Sequence, residues 1–199
     1  MKSFTLLLTL FLSITLFAQV PEKAEDISPF LVGESIPNVN LIDVNGAEVS
    51  FFKIIKEKPT VLVFYRGSWC PYCNRQLSAL GESEQEIIDL GFQIVAVSPD
   101  DYEMLKSITK KGSISYQIYS DVGAKFIQDM GIGFLTPEKA KGYIFKKTKK
   151  QASEILPVPT VMVIDTKGKI LFEYINPDYS TRLSSELLLA NLRVLKESF

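Results

Sequence analysis

The sequence predicts an α/β domain in which a central β-sheet is flanked by helices. Residues 60–65 form a β-branched and aromatic run that is typical of a buried strand. They are followed by a segment whose apolar residues recur at helical spacing, namely Leu77, Leu80, Ile87 and Ile88. Gly91 ends this helix, and residues 92–97 read as the next strand. A strand, a helix and a strand in this order predict a parallel, right-handed unit.

Elements on both sides of this unit extend the sheet. Residues 38–42 and 47–50 are predicted to form a hairpin, because the Asn45-Gly46 pair between them suits a tight turn. The remaining predicted elements are helices at 51–57, 100–110, 122–130 and 184–196, and strands at 117–120, 161–165 and 170–174. The pattern is least predictive over 131–155, where the lysines of 146–150 indicate either a solvated face or a docking surface for an acidic partner.

Composition limits the classes of function. The chain has 199 residues, of which 46% are hydrophobic and 23% charged, which is ordinary for one globular domain with a sizeable core. The formal net charge of −1 gives no electrostatic reason to expect nucleic acid as a partner. Since the chain has no histidine, proton transfer near neutral pH must use a thiol, a carboxylate, a lysine or water.

The first residues have the features of an export signal. Lys2 precedes an apolar run over 4–17 that ends at Ala18, so residues 1–18 are predicted to be a secretory signal peptide. A retained N-terminal anchor is the alternative, although the run is short for a span of about 20 apolar residues. We expect a polar linker over 19–32 and the domain over 33–199. The mature protein is predicted to be periplasmic or extracellular, without stable membrane insertion.

Both cysteines of the chain lie where the first strand meets its helix, in Trp69-Cys70-Pro71-Tyr72-Cys73. Pro71 suits the first helical position, which places Cys70 beside unpaired backbone N–H groups and the positive end of the helix dipole. The pKa of Cys70 should therefore fall below the free value of about 8.5. Cys73, one turn further on, faces the same side. We expect Cys70 to be an accessible attacking sulfur and Cys73 a shielded resolving one.

The cysteine pair has other interpretations. A zinc site needs about four ligands, which two cysteines without histidine do not supply in the usual way, so no metal is predicted. A structural disulfide is open to an exported protein. It would close a very short loop and constrain the unfolded chain little. A non-catalytic extracellular domain with such a disulfide stays as a third class of function.

Residues 63–74 resemble the active-site segment of the thioredoxin-like superfamily, in its alkyl hydroperoxide reductase and thiol-specific antioxidant, or peroxiredoxin-like, branch. Further segments agree in order, at 97–100, 119–126 and 156–165. The resemblance covers residue 35 to the C-terminus. It implies a thioredoxin-like fold, with a central mixed sheet flanked by helices and an N-terminal hairpin, and an antioxidant thiol enzyme without a cofactor.

The resemblance implies two cycles. In the peroxidatic cycle Cys70 reduces a peroxide and becomes a sulfenic acid, Cys73 condenses with it, and a thioredoxin-like dithiol reduces the resulting disulfide. In the alternative, Cys70 exchanges with a protein or small-molecule disulfide, with Trp69 and Val158 flanking the substrate. An exported protein of either kind needs a reducing partner if its disulfide is to be removed, because its compartment is oxidising.

The chain departs from the family at the peroxide site. Typical members carry a proline seven residues before the reactive cysteine and a threonine or serine three before it, where this chain has Val63 and Gly67. No arginine lies in the downstream segment where the family usually places one. Arg66 and Ser68 are the residues that could substitute, as donors to the leaving oxygen and to the thiolate. Alternatively, Arg66 only pairs with a carboxylate.

The resemblance also assigns a role to the segment before the strand at 161–165. In the thioredoxin-like fold a proline in this position is cis and lies against the cysteine pair, and Pro159 is the residue that matches. The Val158–Pro159 bond is therefore expected to be cis. The Val158 backbone is expected to be free to hydrogen-bond an extended substrate.

Overall fold

The computed structural model of the protein describes residues 20–110 and 114–198, so the predicted signal peptide over 1–18 lies outside the described residues. The helices are α1 Phe51–Ile55, α2 Pro71–Glu82, α3 Glu84–Asp89, α4 Tyr102–Lys110, α5 Lys125–Asp129, α6 Glu138–Thr148 and α7 Ser185–Leu195. The strands are β1 Asn40–Ile42, β2 Glu48–Ser50, β3 Thr60–Phe64, β4 Gln93–Ser98, β5 Gln117–Ser120, β6 Gly133–Leu135, β7 Ile155–Pro157, β8 Thr160–Ile164 and β9 Ile170–Ile175. None of the helices in these two ranges is long and apolar enough to cross a membrane.

The central sheet is mixed. Within the described residues it has seven strands in the order β2-β1-β5-β4-β3-β8-β9. Strand β3 runs parallel to β4 and antiparallel to β8, so that Val61 lies opposite Ile94 on one side and Val163 on the other. Strands β1 and β2 form the predicted hairpin at the edge. These features confirm the predicted fold class.

Two apolar clusters cover the two faces of the sheet. Side chains alternate along a strand, so Val61 and Val63 of β3 lie in one cluster and Leu62 and Phe64 in the other. The first cluster contains both cysteines and apolar residues of α2, α3 and α7. The second contains residues of α1 and α5. The dithiol therefore belongs to the face that α2 and α7 cover.

The structure differs from the predicted elements in two places. The helix after the cysteines is broken at Ser83, whose Oγ donates to the carbonyl of Ala79 at 3.1 Å, a bond that competes with the helical pattern. Residues 131–155 contribute to a small antiparallel sheet of β6 and β7, joined by α6. Its pairing is non-local, with Phe134 opposite Leu156, and periodicity in the sequence does not indicate it.

The segment predicted as a linker lies against the domain. Pro21 accepts a backbone hydrogen bond from Leu135 at 2.8 Å, and Ser28 donates to Gly131 at 3.1 Å. Ala24 and Ile27 pack against a small cluster of Phe134, Leu156 and Val158. The apolar residues scattered among the charges of this segment thus cover part of the domain surface.

Candidate active site

The junction of β3 and α2 places Cys70 at the start of a helix. Cys70 is the N-cap of α2, with extended backbone angles of φ −89° and ψ 115°, and Pro71 occupies the first helical position. The Cys70 carbonyl accepts the first helical bond, from Asn74 at 3.0 Å. Proline lacks an N–H that would be unpaired there, and its fixed φ favours the helix. The predicted position of Cys70 is confirmed.

Gly67 and Asp100 shape the loop before Cys70. Gly67 has φ +143°, and a Cβ added to it would overlap Trp69 Nε1 and lie 2.8 Å from Asp100 Oδ1. The Ser68 backbone N–H donates to Asp100 Oδ2 at 2.6 Å. A threonine at position 67, as in typical family members, does not fit beside Trp69 in this conformation.

Asp100 is a buried carboxyl group that sequence reasoning did not assign to the site. It is 7% exposed, and burial raises its pKa to about 6, while hydrogen bonds from the backbone and side chain of Ser68 and from Ser98 oppose that rise. Ser68 is therefore directed to Asp100, and its carbonyl accepts from Asn74 at 2.9 Å. These hydrogen bonds indicate that Ser68 stabilises the conformation of the loop.

The two cysteines are free thiols and differ in acidity. The pKa of Cys70 is lowered to about 6, first by the hydrogen bond with the Cys73 side chain and then by the Cys73 backbone N–H and the charges of Arg66 and Arg182, against the effect of burial. Burial raises the pKa of Cys73 well above its usual value, and the neighbouring Cys70 adds to this. The direction predicted for Cys70 is confirmed, although the partner thiol contributes more than the helix start.

Cys70 has much less exposed surface than we expected for an accessible attacking sulfur. Cys70 is 1% exposed and Cys73 0%, so both sulfurs are covered by protein. The cluster around them includes Leu77 of α2 and Trp69, which packs against it from the loop. Cys70 lines a cavity and Cys73 does not, so a ligand in this cavity could reach Cys70 but not Cys73.

Arg66 places a positive charge near Cys70, and the Nε atom of Arg66 has no hydrogen-bond partner. The side chain is 7% exposed, and Nε makes no hydrogen bond. Its Cζ lies 5.0 Å from the centre of the Trp69 ring and 4.2 Å from that of Tyr179, which are cation–π distances. No carboxylate of the described residues forms an ion pair with it. Arg66 is thus packed against the rings of Trp69 and Tyr179, and its buried Nε donor is unpaired.

Arg182 is a second site residue that sequence reasoning did not assign. It lies in the turn over 176–182, between β9 and α7, and its Nη2 donates to Cys73 Sγ at 3.4 Å. Its Nη1 donates to Gln76 Oε1 at 2.8 Å and its Nε to the Tyr179 carbonyl at 2.9 Å. The only sequence feature that drew attention to Arg182 is that the chain contains few arginines.

The prediction of a cis bond between Val158 and Pro159 was wrong, because no peptide bond of the described residues is cis. The Val158 N–H donates to the Ile132 carbonyl at 2.8 Å, and the Val158 carbonyl accepts from Thr160 Oγ1 at 2.9 Å. These bonds hold the chain as it passes from β7 into β8. The Val158 backbone is therefore engaged within the protein, while Pro159 lines the cavity beside Cys70.

The cavity at Cys70 has a volume of about 870 Å³ and an aromatic wall. Trp69 packs edge-on against Tyr143 of α6 with ring centres 6.2 Å apart, and Tyr72 packs against Tyr179 at 5.7 Å. Arg66 and Trp69 separate this cavity from a second one of about 460 Å³, which Asp100 lines. Within residues 20–110 and 114–198, no group of three or more cysteine or carboxylate side chains is placed to hold a metal ion.

The chain is similar to proteins of two kinds. It is 24% identical to the thiol-disulfide oxidoreductase ResA of Bacillus cereus over 157 residues, which are 78% of this chain and 76% of that protein. It is 20% identical to the 1-Cys peroxiredoxin PER1 of Triticum aestivum over 166 residues, 80% of this chain and 70% of that one.

Solved structures share the fold. Reduced Prx3 of Vibrio vulnificus, in complex with hydrogen peroxide, superimposes with a TM-score of 0.70 at 19% identity, covering 82% of this chain and 99% of that one. The model of the AhpC/TSA family matches residues 32–172, from the segment before β1 into β9. Because this match spans more than half of its length, the chain belongs to the AhpC/TSA family.

Proposed function

We propose that this chain is an exported, peroxiredoxin-like thiol peroxidase that uses Cys70 for attack and Cys73 for resolution. One observation carries the proposal: a thiol with a pKa of about 6 lines a cavity beside a buried guanidinium whose Nε has no hydrogen-bond partner. A thiol with this pKa is mostly thiolate at neutral pH. An unused buried donor close to it is suited to the anion that the reaction releases.

The first step follows from these two groups. The Cys70 thiolate attacks one oxygen of the peroxide, an S–O bond forms and the O–O bond breaks. The second oxygen leaves with the electron pair, and Arg66 stabilises it until it takes up a proton. Cys70 is thereby oxidised to the sulfenic acid and the peroxide is reduced to water or an alcohol.

The cycle then requires resolution and reduction. Cys73 condenses with the sulfenic acid and releases water, which leaves a Cys70–Cys73 disulfide. A thioredoxin-like dithiol would return the pair to the reduced state that the structure describes. Export is proposed from the signal-like composition of residues 1–18.

Stopped-flow oxidation of the reduced protein tests this function. Hydrogen peroxide and a bulky organic hydroperoxide should each oxidise it far faster than they oxidise a free thiolate. The Cys70→Ser variant should not react, whereas Arg193→Gln, a change at a surface ion pair with Glu86, should react like the parent. A rate equal to that of a free thiolate would exclude the peroxidase.

Disulfide exchange is the second candidate, and the size of the cavity favours it. A volume of about 870 Å³ is that of a pocket for a much larger molecule than hydrogen peroxide. Gly67 also leaves no hydroxyl group at the position where typical peroxiredoxins have one. The similarity to a thiol-disulfide oxidoreductase supports the same candidate. Insulin reduction that is lost in Cys70→Ser, with peroxide oxidation at the free-thiolate rate, would identify this activity.

A further inference from the structure

The resolving cysteine has to lose its proton in a place that opposes ionisation. Cys73 is 0% exposed, and burial keeps it protonated in the reduced pair. When Cys70 is oxidised, Cys73 attacks only as a thiolate. A buried anion without a partner is strongly unfavourable, so some group must stabilise it. The titratable groups that act on Cys73 include Cys70, Tyr65 of the junction and the charged Arg182 of the 176–182 turn, whereas Arg66 acts through its backbone N–H.

Arg182 is the side chain of this set that donates a hydrogen bond to the sulfur. Its Nη2 lies 3.4 Å from Cys73 Sγ, and its charge lowers the pKa of both cysteines. The bonds to Gln76 and to the Tyr179 carbonyl hold the guanidinium in this orientation. Little reorganisation is therefore needed when Cys73 becomes negative, and the bond becomes charge-assisted.

The backbone around Arg182 is also held in place. Asp178 accepts hydrogen bonds from the Ser180 N–H at 3.0 Å, the Ser180 hydroxyl at 2.7 Å and the Thr181 hydroxyl at 2.9 Å. Immediately after the turn, Ser184 caps α7 by accepting from the Leu187 N–H at 3.2 Å. The turn is thus fixed from within and from the helix that follows it.

We propose that Arg182 is a catalytic residue of the resolving step, and that its guanidinium stabilises the Cys73 thiolate once Cys70 is oxidised. The inference rests on the proposed function in one respect, that Cys73 resolves Cys70. The Cys73 thiol gives up its proton, its sulfur lone pair forms the bond to Cys70 Sγ, and the S–O bond of the sulfenic acid breaks. Hydroxide leaves and is protonated to water. The Cys73 sulfur is oxidised and the sulfenic sulfur reduced, so no further oxidant is needed. With a mixed disulfide, the leaving group is the partner's thiolate.

The aromatic disulfide 5,5′-dithiobis(2-nitrobenzoate) separates the two steps without using peroxide. Cys70 displaces the first thionitrobenzoate, and Cys73 then displaces the second from the mixed disulfide. In Arg182→Gln the second release should slow by about 10- to 100-fold, because a hydrogen bond from a charged group to the attacking sulfur is lost. The first release should change by no more than about threefold, since Arg182 is the last of the factors acting on Cys70.

Three further variants test whether the role of Arg182 is merely structural. Arg182→Lys, which keeps the charge, should recover much of the lost rate, and Arg193→Gln should behave as the parent. In the Cys70→Ser background, the added Arg182→Gln change should raise the Cys73 pKa, measured from thiolate absorbance against pH. Equal slowing of both releases, an unchanged second release, or a lysine variant as slow as the glutamine variant would each overturn the proposal. Failure of the peroxidase proposal appears only in the peroxide assay, which this experiment does not use.

Discussion

Two segments far apart in the chain each bring one arginine to one sulfur. The junction over 65–73 carries Arg66 to Cys70, and the 176–182 turn carries Arg182 to Cys73. An aspartate organises each segment, Asp100 through the Ser68 N–H and Asp178 through the Ser180 N–H. Each half of the site therefore contains a cysteine, an arginine that acts on it and an aspartate that organises the segment of the arginine.

The parts differ in how they are satisfied. Arg66 is buried between two rings with an unused Nε, whereas Arg182 makes three hydrogen bonds. A charge left unpaired beside an open cavity is suited to a group that arrives from outside. A charge that the protein holds in one orientation, like that of Arg182, is suited to a fixed protein atom such as Cys73 Sγ. In the mechanism that we propose, the first step would therefore depend on a ligand anion and the second on a preformed contact.

The largest effects are expected from the cysteines themselves. Cys70→Ser should abolish both thionitrobenzoate releases, because Cys73 alone is buried and protonated. Cys73→Ser should keep the first release and trap the mixed disulfide, which mass spectrometry detects. If both variants only lowered the melting temperature and changed no reaction, the pair would be a structural crosslink.

Asp100→Asn should change how stability depends on pH. The folded pKa of Asp100 is about 6 and its usual value 3.8, so the fold favours the neutral carboxyl group. As pH rises from about 4 to about 6, the unfolded chain ionises first, and the free energy of unfolding should fall by about 3 kcal/mol. Below about pH 4 Asp100 makes its full contribution to the free energy of unfolding, and above about pH 6 the lost free energy no longer changes with pH. Urea unfolding of the reduced protein across this range should show that the fall is absent from the variant. Parallel curves would mean that Asp100 is not destabilised by burial.

Arg66→Met should slow the chemistry and stabilise the fold. Removing a buried, incompletely paired charge should raise the free energy of unfolding by about 1 kcal/mol, after allowing for the lost ring contacts. The pKa of Cys70 should rise from about 6. Alkylation by iodoacetamide at pH 6 should then slow about fivefold for a rise of about one unit. Arg193→Met is the control. A destabilised variant with normal alkylation would show that Arg66 is structural.

The smallest effect is expected from Asp178→Ala, which loosens the turn while leaving Arg182 in the chain. Losing its hydrogen bonds to Ser180 and Thr181 should slow the second thionitrobenzoate release by about threefold and leave the first unchanged. Asp165→Ala is the matched control, because Asp165 organises a similar turn through the N–H groups of Lys167 and Lys169. The same slowing in both variants would contradict a specific role of the 176–182 turn.

The sequence by itself determined the local part of the site. A β-branched run followed by Cys70-Pro71 places the first sulfur at a helix start, since strand and helix-start preferences act within a few residues. The family resemblance implied the mixed sheet and its hairpin, and the structure contains both.

Only the tertiary structure decided what surrounds the sulfurs. Arg182 reaches Cys73 across 109 positions of sequence, and the burial of Cys70 depends on the loop and helices packed around it. The backbone of Val158 was expected to be free, yet it bonds to Ile132, a residue that only the β6–β7 sheet brings near. Burial and hydrogen-bond partners are set by contacts between distant segments, and short-range sequence patterns do not contain them.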